Sequence, residues 1–102
     1  MLKIYVDDLR KFPDKKFNYN CFRSYEECIN WLEFYNEVDV INLDYNLGTY
    51  TGLDILIFMK KHNICVKKII VHSTNVEGIK IMEKYIKENF SDSKYLYCGF
   101  DE

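Results

Sequence analysis

The sequence lacks the features that mark several large classes of protein. No apolar run approaches the roughly 18 residues that a membrane span requires, and the opening MLKIYVDD carries charge too early for a signal peptide. No linker, internal repeat or Ser/Gly tract divides the chain. These absences argue against a membrane-spanning helix, a secretory signal and a second, flexibly joined domain. We therefore expect one soluble, cytoplasmic domain.

The cysteines form no metal-binding pattern. None of them belongs to a C-x-x-C pair or stands in a Cys/His cluster, so structural zinc is not expected. In a cytoplasmic protein, isolated cysteines are typically reduced and pack as small hydrophobic side chains. We predict free thiols in the core for all four: Cys21, Cys28, Cys65 and Cys98.

A strong charge of one sign is also missing. The 102 residues carry a formal net charge of −2, which argues against binding duplex DNA through bulk electrostatics. A small cleft for one phosphate group remains compatible with this charge. Apolar residues make up 48% of the chain and charged residues 29%, which is typical of a globular domain and excludes disorder.

What the sequence does contain is an alternation of apolar strands and amphipathic helices. Short apolar segments predict strands at 2–6, 18–23, 39–43, 69–71 and 95–100. Apolar residues at helical spacing predict helices at about 24–36, 51–62 and 75–90. Suitable caps precede them: Ser24 with Glu27 in a capping box, Thr51 with Asp54, and Asn75. Residues 8–17, which contain the only proline, are too short and broken for a helix.

The order β-β-α-β-α-β-α-β determines the fold class. Strands separated by helices of this length pair in parallel through right-handed crossovers. We predict an α/β fold, a three-layer sandwich around a five-stranded, mainly parallel sheet. In this arrangement no helix joins the first strand to the second.

Polar residues collect where three of the predicted strands end. Asp7 and Asp8 follow the first strand, Asp44 follows the third, and His72 with Ser73 follows the fourth. In an open parallel sheet, ligands bind at the carboxyl ends of the strands, beside the point where strand order reverses. Three carboxylates that converge there repel one another, and a Mg²⁺ ion with oxygen ligands would relieve the repulsion. Raised carboxyl pKa values would be the other relief.

Donors for an anion stand close to these acids. Ser73, Thr74 and Asn75 precede a helix whose first turn contains Gly78, so side-chain donors and free amides are expected to face the cleft. Arg10 follows the acidic pair and could hold a phosphate with a bidentate fork. Carboxylates beside anion donors suggest a phosphoryl ligand. We expect the remaining basic pairs to be solvated surface at the opposite edge of the sheet: Lys60, Lys61, Lys67 and Lys68.

Each of these residues also has an ordinary structural explanation. Acidic residues after strands often begin turns or cap helices, which would account for Asp7, Asp8 or Asp44 taken alone. A single histidine such as His72 is more often structural than catalytic, and Asn75 is suited to cap the third helix in any case. It is the joint placement at one sheet edge that favours a functional cleft.

The motifs resemble the receiver domain of two-component signalling. The resemblance lies in three places: Asp7-Asp8 after the first strand, the segment from Leu43 through Asp44 to Gly48, and Ser73 after the fourth strand. The resemblance implies a sheet of order 2-1-3-4-5, Mg²⁺ on the acidic pair, phosphoryl transfer to Asp44 and a hydroxyl from Ser73. The chain departs from receivers in lacking the first helix, in lacking a lysine after the final strand, and in placing His72 before Ser73.

A narrower group, the receiver-like domains predicted to process cyclic phosphates, is matched over the whole length. Its features are an opening like IYVDDLRKFP, an L-D-x-x-L-G segment and an H-S-x-N-x-x-G stretch. This chain has them at 4–13, 43–48 and 72–78. The resemblance implies processing of a phosphate-containing small molecule or an RNA 3′ end.

Our first hypothesis is metal-assisted hydrolysis of a cyclic phosphodiester, such as a 2′,3′-cyclic phosphate at an RNA end or a cyclic nucleotide. Mg²⁺ would be held by Asp8 and Asp44, with Asp7 bound directly or through water. His72 would act as general acid or base beside Asp44 and Asp8 in the catalytic set. The expected phosphate-binding residues are Arg10, Ser73, Asn75 and Gly78.

Two alternatives remain open from the sequence. In the first, the domain is a phospho-accepting receiver with Asp44 as the nucleophile, which leaves His72, Asn75 and Arg10 without a role. In the second, it binds a cyclic nucleotide without chemistry, for instance as a sponge in phage counter-defence. The sequence leaves the substrate and the oligomeric state undetermined.

Overall fold

Five parallel strands form the central sheet of the computed structural model, which describes residues 2–98. The sheet order is β2-β1-β3-β6-β7, and every neighbouring pair is parallel. Counted without the small hairpin β4-β5, this is the predicted order 2-1-3-4-5. The strands are β1 (Lys3–Val6), β2 (Asn20–Phe22), β3 (Glu37–Leu43), β4 (Asn46–Leu47), β5 (Tyr50–Thr51), β6 (Cys65–His72) and β7 (Lys94–Cys98).

Three helices connect the later strands, as predicted. They are α1 (Tyr25–Leu32), α2 (Gly52–Lys61) and α3 (Val76–Asn89). Their predicted cap residues are confirmed: the side chains of Ser24, Thr51 and Asn75 each accept a hydrogen bond from a backbone amide of the first turn. The capping box predicted at Ser24 is incomplete, because Glu27 accepts from the amide of Arg23 and not from that of Ser24. Within residues 2–98, no helix is long and apolar enough to cross a bilayer.

All three helices pack on one face of the sheet. The crossovers from β2 to β3, β3 to β6 and β6 to β7 step in the same direction across the sheet, so right-handed connections place their helices on the same side. There the core joins alternate strand residues, such as Ile41 and Ile69, to helix residues such as Leu32, Leu56 and Met82, all 0% exposed.

The second face of the sheet is covered by residues 7–19. The step from β1 to β2 runs in the opposite direction, so this connection crosses the other face. As predicted, it holds no α-helix, only a short 3-10 helix at Lys15–Phe17. Phe12 and Tyr19 pack edge-to-face on Tyr5 of β1, with ring centroids 6.1 and 5.6 Å apart. The third layer of the sandwich is therefore an irregular, aromatic segment.

Several predicted boundaries need correction. The first helix ends at Leu32, not near Asn36, because the chain turns there to enter β3 at Glu37. The fourth predicted strand begins at Cys65, so Lys67 lies within β6, where it forms an ion pair of 3.3 Å with Asp39 of β3. The hairpin β4-β5 was not predicted. The end of the last predicted strand, residues 99–100, lies outside the described residues.

The prediction for the cysteines is confirmed in part. All four are free thiols. Cys28 is fully buried in the core, and burial raises its pKa to about 12. Cys65 is exposed, while Cys21 and Cys98 are half-buried. Packing as a core hydrophobic residue is therefore correct for Cys28 alone, because Cys65 is the first residue of β6 and is exposed there.

Candidate functional site

A cleft of about 410 Å³ lies at the carboxyl ends of β1 and β3. We call it the acidic cleft. Asp7, Asp8 and Arg10 line it from the segment after β1, and Asp44 lines it from the end of β3. It lies where the strand order reverses around β1, the position at which open parallel sheets bind ligands. The remaining lining residues are Leu9, Asn46 and Thr74.

The three carboxylates come together as the sequence predicts. Val6 of β1 pairs with Leu43 of β3, so the next residues along each strand, Asp7 and Asp44, are also neighbours. Asp8 follows in the turn. One carboxylate oxygen from each of the three acids lies within 4.8 Å of the others. Hard oxygen donors at this spacing fit a divalent cation such as Mg²⁺.

Asp7 is buried, with 2% of its surface exposed, and its carboxylate is hydrogen-bonded to protein donors. Its Oδ1 accepts hydrogen bonds from the amides of Leu9 at 2.9 Å and Arg10 at 2.7 Å. Burial alone would raise the pKa of Asp7, but the hydrogen bonds from Arg10, Leu9 and His72 together lower it below the usual value. Asp7 is thus a carboxylate held ionised in a fixed orientation.

Asp44 has the opposite electrostatic environment. Burial raises its pKa, and the negative charge of Asp7 raises it further. Hydrogen bonds from the Ser73 hydroxyl and from the Tyr45 amide, at 2.7 Å, oppose this shift without cancelling it. In the cleft, the charged form of Asp7 is therefore stabilised by hydrogen bonds, whereas the charged form of Asp44 is destabilised by burial and by repulsion from Asp7.

Behind Asp7 lies a chain of buried polar side chains that we call the buried relay: Asn42, His72 and Asp7. His72 Nε2 lies 2.9 Å from Asp7 Oδ2, and His72 Nδ1 makes a short contact with Asn42 Oδ1. The ring also stacks on Tyr5, with centroids 4.6 Å apart and planes 9° from parallel. His72 and Asn42 are 0% and 2% exposed, so the relay is enclosed in the interior. Such contacts at both nitrogens set the orientation of the ring.

The position of His72 requires a revision of its predicted role. The side chain does not line the acidic cleft, and both ring nitrogens are already in contact with protein oxygens. Burial lowers its pKa to about 4, although the contact with Asp7 acts in the opposite direction. This environment does not suit a general acid or base in contact with substrate. The geometry instead makes His72 a positioning residue for Asp7.

Two arginines hold the segment after β1 in place. The Arg10 Nε lies 3.8 Å from Asp7 Oδ2, and the Arg10 side chain borders the cleft. Arg23 donates to the carbonyl oxygens of Asp7 at 3.1 Å and Arg10 at 2.6 Å, and its guanidinium lies 3.8 Å from the centre of the Phe12 ring. Arg23 thus replaces, for this segment, the internal hydrogen bonds that a helix would provide.

The other predicted phosphate-binding residues have local partners. The Ser73 Oγ accepts from the Asn75 amide at 3.1 Å, in addition to its bond with Asp44. Asn75 Oδ1 accepts from the Gly78 amide at 2.9 Å as the cap of α3. Gly78 is buried against the ring of Tyr45, and its amide is already bonded to Asn75. Their roles in phosphate binding stay predictions.

Replacing Gly78 with alanine is expected to destabilise the protein by about 1–3 kcal/mol. A Cβ at this position would lie 2.3 Å from the nearest Tyr45 ring carbon, so the ring or the helix must move. Urea denaturation measures the change. The double variant with Tyr45→Ala is expected to lose less stability than the sum of the single variants. Strict additivity would contradict a contact between the new methyl group and the ring.

Some residues of the site did not stand out in the sequence. Asn46 lines the cleft beside Thr74, which was among the predicted donors, while Asn42 and Arg23 act behind it. Asn42 carried the strongest available signal, because it is the single polar residue of the strand segment VINL, but apolar strands tolerate such residues without a function. Arg23 is one of two arginines, yet its target is a backbone segment that the sequence does not reveal.

Comparison with known families agrees with this site. The family model described as the cyclic-phosphate processing receiver domain matches residues 2–88. The chain belongs to this family. The match includes the acidic cleft, the buried relay and all of α3 except its last residue.

The fold of this receiver domain also occurs among solved structures. The structure of the Legionella pneumophila response regulator LqsR is similar with a TM-score of 0.62 at 18% sequence identity. The alignment covers 99% of this chain and 38% of that one, so the domain corresponds to about two-fifths of the longer protein. At this identity the likeness concerns the fold alone. No curated protein matches the sequence.

Proposed function

We propose that this receiver domain hydrolyses a cyclic phosphodiester at the acidic cleft with a bound Mg²⁺ ion. The candidate substrates are a 2′,3′-cyclic phosphate at an RNA 3′ end and a cyclic nucleotide. The observation that carries the proposal is the approach of Asp7, Asp8 and Asp44 to within 4.8 Å of one another beside Arg10. The family description supports a cyclic phosphate as the ligand.

The donor set fits Mg²⁺. Asp7, Asp8 and Asp44 offer hard oxygen ligands, and the repulsion that raises the pKa of Asp44 would be relieved by a cation between them. Bound Mg²⁺ would supply positive charge that polarises a phosphoryl oxygen and orients water. Arg10 would donate to the non-bridging phosphoryl oxygens as their charge increases.

In the proposed reaction, a water oxygen bonds to phosphorus and one ester P–O bond of the cyclic phosphate breaks. Asp44, which lines the cleft beside Asp7, accepts the proton of the attacking water and afterwards releases it to solvent. The leaving ribose oxygen takes a proton from solvent, and the product is an open phosphate monoester. Asp7, held by the amides of Leu9 and Arg10 and by His72, keeps its orientation throughout.

A second candidate function is phosphoryl acceptance at Asp44. It is favoured by the hydrogen bond between the Ser73 hydroxyl and Asp44, an arrangement suited to sense a phosphoryl group on that carboxylate. Against it, the residues that line the cleft within 2–98 include no lysine to neutralise the transferred group. Uptake of beryllofluoride by the wild type and its loss in Asp44→Asn would favour this candidate.

The deciding experiment is incubation of the protein with Mg²⁺ and a panel of substrates, resolved by chromatography. The panel contains 2′,3′-cyclic mononucleotides, a short RNA with a cyclic-phosphate end and several cyclic dinucleotides. We expect turnover of a 2′,3′-cyclic phosphate that falls by at least about a hundredfold in Asp44→Asn and in EDTA. Asp54→Asn, on the first turn of α2, is the matched control and should retain turnover.

The remaining outcomes identify the alternatives. A ligand that is retained but recovered intact after long incubation would make the domain a binder without chemistry. Neither turnover nor retention, together with beryllofluoride uptake, would favour the phospho-accepting receiver. Equal turnover in Asp44→Asn and wild type would contradict hydrolysis through Asp44.

A further inference from the structure

We propose that the aromatic groove on the second face of the sheet binds the base of a nucleoside 2′,3′-cyclic monophosphate whose phosphate lies in the acidic cleft. This inference rests on the proposed function and adds to it the class of substrate. The groove has a volume of about 760 Å³, within the range of small-molecule sites. The lining residues that matter here are Tyr5, Phe12, Phe17, Tyr19, Asn42 and Ile70.

The groove exists because the connection from β1 to β2 is not a helix. Residues 7–19 cover the second face only in part, and Phe17 at its edge remains 48% exposed. Phe12 and Tyr19 pack edge-to-face on Tyr5, which holds the aromatic wall rigid. Rigid aromatic side chains around an open groove suit a planar ring, because every nucleobase has a face that stacks on them.

The floor of the groove offers a polar group for recognition. Asn42 lines it, and the Asn42 Nδ2 lies 3.5 Å from the Tyr19 hydroxyl, a long and weak hydrogen bond. An amide on the floor of an aromatic groove can exchange such a bond for hydrogen bonds with the edge of a nucleobase. The second face therefore combines stacking surfaces with one amide, the usual composition of a base-binding pocket.

The groove is adjacent to the acidic cleft. Arg10 lines both, so the two pockets meet at its side chain. The buried relay connects them as well, since Asn42 lies in the groove floor and Asp7 in the cleft wall. A ligand with an anionic group in one and a planar ring in the other matches a single nucleotide.

The charges around the groove favour a free mononucleotide over a polynucleotide. Arg10 and Lys11 line the groove against one acid, Asp14, so its charge is small and positive, and Arg10, which also lines the acidic cleft, can meet the single negative charge of a cyclic phosphate there. The chain as a whole carries a net charge of −2, which offers little attraction for the repeated phosphates of RNA.

The first test measures binding of 2′,3′-cyclic AMP by equilibrium dialysis in EDTA, where metal-dependent turnover is absent. Phe17→Ser is expected to weaken binding about tenfold, which is the order of a lost stacking contact. The matched control is Phe34→Ser, because Phe34 is 80% exposed and follows α1 on the opposite face. Equal binding by the two variants would overturn the proposal.

The second test compares turnover of 2′,3′-cyclic AMP with that of glycerol 1,2-cyclic phosphate, which has no base. The ratio of the two kcat/KM values is expected to fall about tenfold in Phe17→Ser and to stay constant in Phe34→Ser. An unchanged ratio in Phe17→Ser would overturn the proposal while the hydrolytic function stood. If no cyclic phosphate is turned over but the dialysis difference remains, the hydrolytic function fails and base binding in the groove is upheld.

Light scattering of the same proteins tests whether a second copy of the chain occupies the groove. We expect wild type and Phe17→Ser to have the same mass in solution. A wild-type dimer that dissociates in Phe17→Ser would show that the groove is an interface, and would overturn the proposal.

Discussion

Replacing His72 with phenylalanine is expected to lower the free energy of unfolding by about 3 kcal/mol. The phenyl ring can keep the stacking on Tyr5, but it offers nothing to Asp7 Oδ2 or to Asn42 Oδ1. Both oxygens would stay buried, since Asp7 and Asn42 are each 2% exposed. The amides of Leu9 and Arg10 still bind the other Asp7 oxygen, which limits the loss. Urea denaturation at pH 7 measures it.

The second histidine of the chain is the matched control. His62 is exposed at the end of α2, where its Nδ1 contacts the Phe58 carbonyl oxygen at 3.0 Å and its ring stacks on Phe58. His62→Phe is expected to change stability by less than about 0.5 kcal/mol. Equal losses for the two substitutions would contradict the buried relay as a source of stability.

A second substitution at His72 distinguishes a positioning role from direct catalysis. If His72 acts by orienting Asp7, His72→Gln, which keeps a donor for the carboxylate, should recover part of the lost stability. It should also recover part of any Mg²⁺-dependent turnover that is lost in His72→Phe. A general acid or base would not be rescued in this way, because a glutamine side chain does not titrate. Loss of turnover in His72→Gln, with wild-type stability and wild-type stabilisation by Mg²⁺, would restore the catalytic role.

Replacing Asp44 with asparagine is expected to stabilise the protein in EDTA by about 1 kcal/mol while removing its response to Mg²⁺. At pH 7 the charged Asp44 is less favourable in the folded state than in the unfolded state, because burial and the charge of Asp7 raise its pKa. An asparagine removes that repulsion and can still meet the Ser73 hydroxyl and the Tyr45 amide.

Thermal unfolding with increasing Mg²⁺ checks this prediction. Above the dissociation constant, the stability of the wild type should rise with the logarithm of the Mg²⁺ concentration, by about 2.7 kcal/mol at a hundred times the dissociation constant. Asp39→Asn provides a control, because Asp39 lies on β3 as well but binds Lys67 and the Leu2 amide away from the cleft. A Mg²⁺ response that survives in Asp44→Asn but disappears in Asp39→Asn would contradict a metal site in the acidic cleft.

Together, these results would show that the acidic cleft lowers the stability of the folded protein when no Mg²⁺ is bound. Asp7 is stabilised by its hydrogen bonds, whereas Asp44 is held against a neighbouring charge. Proteins commonly retain such unfavourable charge pairs at functional sites, because the repulsion is what a cation or a developing positive charge relieves. We therefore expect stability and Mg²⁺ binding to change in opposite directions when Asp44 is substituted.

Most of the architecture was predictable from the sequence, because its signals are local. Side-chain caps such as Ser24 and Asn75 begin helices through hydrogen bonds to amides a few residues away. The position of Asp7 and Asp44 at strand ends is equally local, and parallel pairing then places them at one edge of the sheet. Helix ends were less accurate, because the turn after Leu32 depends on where β3 joins the sheet.

The order of strands and helices, the parallel sheet and the meeting of three carboxylates could all be predicted from the sequence. The inward orientation of His72 could not, because it depends on tertiary contacts. The segment IIVH is buried on both faces of the sheet, so no alternation of polar and apolar residues shows which side His72 takes. That side is enclosed because residues 7–19 cross it and bring Phe12 and Tyr19 against Tyr5, contacts between residues distant from His72 in the chain. The same crossing leaves the aromatic groove open, because an irregular segment covers less of a sheet than a helix would.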